Sequence, residues 1–165
     1  MERILIGEIF KSLVAVIFEE AGYEVYPYSR ESLSGSLKGQ VTRVTDAATG
    51  ERVRSTPDLL VFDRSENRTY LAEIKHRKFL DPELPAKVDV YRRHWPDSIL
   101  VFVMKDRPHF LAQVVEKIPS GELNAEDFER LDQLFSKIAW DAEVEARWNK
   151  WVERLADLWS SFKQP

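Results

Sequence analysis

The sequence predicts an α/β fold, with a mixed central sheet flanked by helices in the order αβββαβ and followed by a C-terminal helical hairpin. Apolar residues recur at helical spacing near both ends of the chain, and short apolar runs bounded by turn residues lie between them. A length of 165 residues suffices for one well-buried core and is too short for two ordinary domains. We therefore expect a core over residues 1–116 and a two-helix extension over residues 117–165.

The first predicted helix covers residues 4–21 and is mostly buried. Gly22 stands where a glycine often ends a helix, and the Tyr-Glu-Val-Tyr sequence at 23–26 predicts the first strand. The apolar side chains that share one face of this helix are Ile6, Ile9, Phe10, Leu13, Ile17 and Phe18.

Two hairpins are predicted after the first strand. The earlier one pairs residues 38–45 with residues 52–55 across a turn that ends at Gly50. The later one pairs residues 57–63 with residues 68–76 across the polar turn Arg-Ser-Glu-Asn.

A helix and two strands are expected to complete the core. Residues 81–95 have apolar positions at helical spacing and stop at Pro96. Residues 98–104 form a continuous apolar run that is typical of a fully buried strand, and residues 109–115 predict another strand.

Two helices are predicted in the tail. The first begins at a capping box formed by Asn124 and Asp127, and the second follows a heptad pattern that Val152 and Trp159 widen. This broad stripe fits packing against the core or a homodimer interface. The first helix would bury Phe128, Leu131, Leu134, Phe135 and Ile138, and the heptad residues are Val144, Trp148, Trp151, Leu155, Leu158 and Phe162.

Composition and charge exclude several classes of protein. The chain has no cysteine, which excludes disulfides, thiolate metal sites and cysteine nucleophiles. No apolar run is long enough for a membrane span and no secretory signal is evident, so we expect a soluble cytoplasmic protein. The net charge is −4, and the excess of acid lies in residues 116–165, which carry 7 Lys and Arg against 11 Asp and Glu.

The later hairpin brings two acidic residues together. If its turn is centred on Ser65 and Glu66, Asp58 lies directly across from Glu73. Opposed residues of antiparallel strands point to the same face with Cβ atoms about 4.5–5.5 Å apart, so the two carboxylates repel each other unless a positive group lies between them. Lys75 is on that same face, because strand side chains alternate.

Converging carboxylates and a backbone carbonyl are the hard oxygen ligands that Mg²⁺ prefers. An ammonium beside them can orient the attacking water and neutralise charge at phosphorus, so the set suits phosphodiester hydrolysis. The alternative is structural: Asp58 caps a strand, and Glu73 and Lys75 form a surface ladder of ordinary ion pairs.

These residues carry a resemblance to a known family. Ser-Thr-Pro-Asp-Leu-Leu-Val-Phe-Asp at 55–63 and Tyr-Leu-Ala-Glu-Ile-Lys-His at 70–76 resemble the motif of the PD-(D/E)XK nucleases, whose restriction-endonuclease-like fold includes archaeal Holliday-junction resolvases and Mrr-like enzymes. The resemblance covers about residues 4–105. It implies that Asp58, Glu73 and the Ile74 carbonyl bind Mg²⁺ or Mn²⁺, that Lys75 positions the nucleophile, and that the substrate is DNA.

One position departs from the family pattern. Related nucleases often carry a glutamate on the first helix, and here that place is Lys11. Glu8 lies one turn earlier on the same side and could substitute as a metal ligand, or it could be solvated. Without a helix acid, a second metal ion is doubtful.

Several residues are candidates for contacts with DNA. Each has a structural alternative as a loop, surface or core residue, and a nuclease-fold module that only binds DNA or protein through its Trp-rich tail is the alternative function. The candidates are Ser29, Arg30, His76, Arg77, Lys78 and Lys87.

Overall fold

The computed structural model of the protein describes residues 2–28, 47–77, 80 and 82–161, except for the side chains of 2–5, 47–48 and 158–161. The helices are α1 (Glu2–Glu20), α2 (Ala47–Arg54), α3 (Leu84–His94), α4 (Leu131–Leu134) and α5 (Ala142–Ser161). The strands are β1 (Glu24–Pro27), β2 (Leu59–Asp63), β3 (Arg68–Arg77), β4 (Ile99–Met104), β5 (Phe110–Val114) and β6 (Glu129–Arg130).

The six strands form one mixed sheet in the order β1-β2-β3-β4-β5-β6. Neighbouring strands are antiparallel except for β3 and β4, which are parallel and are joined through α3. A parallel pair needs such a crossover, because its second strand must start at the same end of the sheet as its first. The prediction of a mixed sheet flanked by helices is confirmed.

The sheet separates two apolar clusters. On one face, α1 packs through Phe10, Val14 and Phe18, which are fully buried. On the other face, α3 packs through Leu84 and Val88. Every residue of β4 is buried, and its side chains alternate between the two clusters, as expected for a strand covered on both sides.

The α1 helix follows its predicted pattern with one difference. Ile9 is 37% exposed, whereas Val14 lies in the core, so the buried stripe is displaced slightly around the helix. Gly22 has φ 85°, which is the left-handed conformation expected of a glycine at a helix C-terminus.

The predicted register of the β2–β3 hairpin is confirmed. Leu59 pairs with Ala72 and Asp63 pairs with Arg68, across a loop of residues 64–67. Asp63, at the end of β2, holds the loop: its Oδ1 accepts hydrogen bonds from Ser65 N at 2.9 Å and Glu66 N at 3.2 Å. A one-residue slip would put every side chain on the wrong face, so this turn fixes which side chains share a face.

The predicted strand at 52–55 is wrong, because residues 47–54 form α2. Glu51 and Ser55 lie four apart on one side of this helix and contact α3 and its end: Glu51 accepts from Arg93, and Ser55 Oγ accepts from Trp95 Nε1 at 3.2 Å. Residues four apart are neighbours on the surface of a helix, which lets Glu51 and Ser55 contact the same region. The partner strand predicted at 38–45 lies outside the described residues.

The predicted helical hairpin of the tail is wrong in its first half. Asn124 N donates to Asp127 Oδ2 at 2.7 Å, but these residues bracket one 3₁₀ turn, and β6 and the four-residue α4 follow. The apolar side chains of this segment pack on both faces of the sheet. Phe128 packs on Phe102 in the α3 cluster, whereas Phe135 lies in the α1 cluster, so a single helix could not bury both.

The last helix, α5, is confirmed and packs on the core. Trp148 and Val152 are buried in the α1 cluster, which is the first of the two predicted packing arrangements. Trp151 instead is 50% exposed. The side chains of Leu158, Trp159 and Phe162 lie outside the described residues. No helix within 2–28, 47–77 and 82–161 has the length and apolar composition needed to cross a bilayer.

An ion pair to the hairpin turn leads to the first prediction. Lys137 Nζ donates to Asp63, and this hydrogen bond lowers the pKa of Asp63 to about 2. A lowered carboxyl pKa contributes stability above the unfolded pKa of about 4, and that contribution is lost as pH falls towards 2. Lys137→Met should therefore lower Tm at pH 7, and the difference from wild type should shrink between pH 4 and pH 2.

Thermal unfolding followed by circular dichroism at pH 7, 4 and 2 measures this effect. Lys117→Met is the control, because Lys117 is exposed on a 3₁₀ turn. A Lys137→Met deficit that stays constant from pH 7 to pH 2 would contradict the role of the ion pair.

Candidate active site

The β2–β3 hairpin brings Asp58 and Glu73 together. Asp58 immediately precedes β2, and its Oδ2 accepts a hydrogen bond from Ile74 N at 2.9 Å. Both acidic side chains are buried, with Asp58 7% and Glu73 4% exposed. The Ile74 side chain lies in the α1 cluster, as its alternation with Glu73 predicts. The two carboxylates therefore converge through one backbone register.

Glu73 has one satisfied and one unsatisfied carboxylate oxygen. Its Oε1 accepts hydrogen bonds from Tyr91 Oη at 2.6 Å and from Lys75 Nζ. Its Oε2 is buried and has no hydrogen-bond partner among the described residues. Buried polar atoms normally have partners, so this oxygen has unused capacity to accept a hydrogen bond or to bind a cation.

Burial is the main influence on the ionisation of Glu73. It raises the pKa of Glu73 to about 7, opposed by the charge of Lys75 and reinforced by the charge of Asp58. Burial also raises the pKa of Tyr91, and the negative charge of Glu73 adds to that effect. Tyr91 therefore stays a hydroxyl that donates to the carboxylate.

Lys75 and Glu73 lie on the same face, as predicted. The Lys75 side chain is 25% exposed, so its ammonium remains accessible from solvent while it pairs with Glu73. Its Nζ lies 5.7 Å from the centroid of the Tyr91 ring. The aromatic face and the carboxylate together hold the amine beside the two acids.

Lys11 enters the site from α1. Its Nζ is 2.8 Å from Asp58 Oδ1 and 2.9 Å from Glu8 Oε1. Burial alone would lower the pKa of Lys11, but the hydrogen bonds to Asp58 and Glu8 raise it above its usual value, so the group is an ammonium. Glu8 is 52% exposed and contacts Lys11.

The candidate metal ligands fit a divalent cation in part. The two carboxylates and the unpartnered Glu73 Oε2 provide oxygen donors of the right chemistry. However, no group of three or more His, Asp or Glu side chains with metal-binding geometry occurs in the part of the chain that is described. The protein thus offers two carboxylates, and further oxygen ligands would come from backbone, water and substrate.

The candidates for DNA contact are placed differently from one another. The ring of His76 stacks on Phe10 with centroids 4.0 Å apart, and burial, followed by the charge of Arg77, lowers the pKa of His76 to about 4. Arg77 Nη1 donates to the His76 carbonyl at 2.8 Å. Lys87 is exposed and pairs with Glu83 at 3.2 Å. The remaining candidates, Ser29, Arg30 and Lys78, lie outside the described residues.

An open cavity lies next to Tyr91. Its volume is about 320 Å³, and it lies between α2 and α3. Tyr91 links the cavity to Glu73 through its hydroxyl. The lining residues are Glu51, Arg54, Ser55, Lys87, Val90 and Tyr91.

Sequence reasoning missed the contacts of Lys11, Arg54 and Tyr91. The sequence identifies position 11 only as a missing acid, although Glu8 three residues earlier indicates an ion pair within the helix. Tyr91 stands four residues after Lys87 on one helix face, but this spacing does not predict its hydrogen bond to Glu73. Arg54 was assigned to a strand.

No family model matches this chain, and no curated protein matches its sequence.

The hydrogen bond from Tyr91 to Glu73 leads to the second prediction. Tyr91→Phe removes a donor from a buried carboxylate and should lower the free energy of unfolding by about 1–3 kcal/mol. Tyr26→Phe is a matched control, because the Tyr26 hydroxyl donates to Glu24 at 2.9 Å on an exposed surface. Its change should stay within about 0.5 kcal/mol. Urea unfolding at pH 8 measures both, and equal losses would contradict the role of Tyr91.

Proposed function

We propose that this protein is a divalent-metal-dependent endonuclease that hydrolyses DNA phosphodiester bonds. The observation that carries the proposal is the convergence of Asp58, Glu73 and Lys75 on one hairpin, with a buried oxygen of Glu73 left without a hydrogen-bond partner. In a structural ladder of surface ion pairs, the acids would be exposed, because water solvates exposed charges. Burying a charged carboxylate instead costs free energy. Membership of the PD-(D/E)XK nucleases is part of the proposal.

Three groups would hold the cation: the carboxylates of Asp58 and Glu73 and the backbone carbonyl of Ile74. A bound Mg²⁺ or Mn²⁺ supplies Lewis-acid stabilisation of charge at the phosphate and lowers the pKa of water. Lys75 orients the attacking water, because its ammonium is partly exposed beside Glu73. Tyr91 positions Glu73 by its hydrogen bond to Oε1.

The substrate path follows the cavity between α2 and α3. Arg54 and Lys87 line it, and both are exposed, so they can contact backbone phosphates next to the reacting one. The net charge of −4 does not oppose this path, because residues 1–115 are neutral overall. Arg77, at the end of β3 beyond Lys75, is a further candidate for phosphate contact.

A second candidate function is a nuclease-fold module without catalysis, which binds DNA or protein. The observation that favours it is the ion pair between Lys11 and Asp58, which places an ammonium on a candidate metal ligand. The exposure of Trp151 also favours a binding module, because half of this aromatic side chain is exposed on α5. A homodimer through α5 belongs to the same proposal.

The third prediction separates the two functions. Asp58→Asn and Lys75→Met should each lower DNA cleavage in Mg²⁺ or Mn²⁺ by at least about 100-fold, because the first removes the charge of a proposed metal ligand and the second removes the ammonium that orients the attacking water. The assay incubates the protein with linear, branched and single-stranded DNA, with Mn²⁺ or with chelator. Circular dichroism verifies that each variant is folded.

Asp97→Asn is the matched control for Asp58→Asn, because Asp97 also follows a proline but is exposed. Cleavage by this control should equal that of wild type. If the Asp58→Asn, Lys75→Met double variant cleaves DNA at the wild-type rate, the assignment of the active site is wrong. Absence of cleavage by the wild-type protein on all three substrates would favour the binding module.

A further inference from the structure

The strongest observation beyond the proposed active site concerns Lys11, whose ammonium lies between two carboxylates. It is 2.8 Å from Asp58 Oδ1 and 2.9 Å from Glu8 Oε1. The two partners differ in environment, because the Asp58 side chain is 8% exposed and the Glu8 side chain is 52% exposed. One partner is therefore a candidate metal ligand, and the other is a solvated acid on the same helix.

Charge balance gives this arrangement a consequence for metal binding. The two buried acids, Asp58 and Glu73, are matched by the ammonium groups of Lys11 and Lys75. The charge of Glu8 is screened by water and counts for less. The site is thus close to neutral before any metal arrives, and a dication would meet two positive charges at short range.

Lys11 also has a second carboxylate partner, Glu8. Its contact with Glu8 spans three residues of α1 and does not depend on Asp58. If Lys11 leaves Asp58, it keeps one carboxylate partner. Releasing Asp58 therefore does not leave Lys11 as an unpaired charge, which would be the larger penalty.

We infer that Lys11 is an exchangeable counter-ion of Asp58, which neutralises the carboxylate in the metal-free protein and stays with Glu8 alone when a divalent cation binds. The inference rests on the metal site of the proposed function and adds a determinant of its affinity. Lys11 thereby weakens metal binding, and Glu8 acts through Lys11 and not as a ligand. An anionic phosphate that enters with the cation offsets the added positive charge, so metal and substrate bind cooperatively.

The test is calorimetric titration of Mn²⁺ into the 165-residue chain at pH 8, with no DNA present. Lys11→Met keeps the apolar stem of the side chain and removes its charge, and should bind Mn²⁺ at least about tenfold more tightly than wild type. Lys150→Met is the control, because Lys150 is exposed on α5. It should match wild type within about twofold. Lys11→Gln serves as a second variant should Lys11→Met not fold.

A double-mutant cycle separates the roles of Lys11 and Glu8. Glu8→Gln removes the second carboxylate partner of Lys11 and should weaken Mn²⁺ binding in the wild-type background. In the Lys11→Met background it should change Mn²⁺ affinity by less than about twofold. An equal loss of Mn²⁺ affinity in both backgrounds would make Glu8 a metal ligand and overturn its role as the second partner of Lys11.

The remaining outcomes distinguish the inference from the function on which it rests. Equal Mn²⁺ affinity of wild type and Lys11→Met would overturn the inference and leave the proposed metal site intact. Absence of Mn²⁺ binding by wild type, Lys11→Met and Lys11→Gln would overturn both. Addition of a non-cleavable DNA phosphorothioate should tighten Mn²⁺ binding more in wild type than in Lys11→Met, and the reverse order would contradict the cooperative role.

Discussion

The candidate site depends on the register between β2 and β3. Two contacts hold this register, one at each end of the hairpin: Asp63 accepts backbone hydrogen bonds in the turn, and Asp58 accepts one from Ile74 N. Because strand side chains alternate, a slip of one residue would turn Glu73 towards the α1 cluster and Ile74 towards α3. The acid that is proposed to bind metal thus also anchors the strand that carries its partner.

A buried carboxylate oxygen without a hydrogen-bond partner sets this site apart among the described residues. Glu73 is held by Tyr91 and Lys75, yet one of its oxygens keeps no partner, and burial raises its pKa to about 7. At Asp63, which is also buried, the hydrogen bond from Lys137 instead lowers the pKa to about 2. An acid that is buried without full compensation destabilises the fold, and such a residue is a candidate for a functional site.

Sequence patterns predicted the parts of the fold that depend on local periodicity. The strand pairing around residues 64–67 and the fully buried β4 follow from alternation and apolar runs. The prediction of a first tail helix is wrong, because Phe128 and Phe135 fit a helical period but pack on opposite faces of the sheet. The contact of Lys11 with Asp58 joins segments that are distant in sequence, and no local pattern carries such information.

The central claim is that the two carboxylates form a binding site for a divalent cation. Titration of Mn²⁺ into the protein, followed by electron paramagnetic resonance of the free ion, measures this directly in wild type and in Glu73→Gln. Wild type should bind one Mn²⁺ saturably, as this claim requires, and Glu73→Gln should lose that binding, since the substitution removes the charge and the free oxygen donor. Unchanged binding in Glu73→Gln would contradict it.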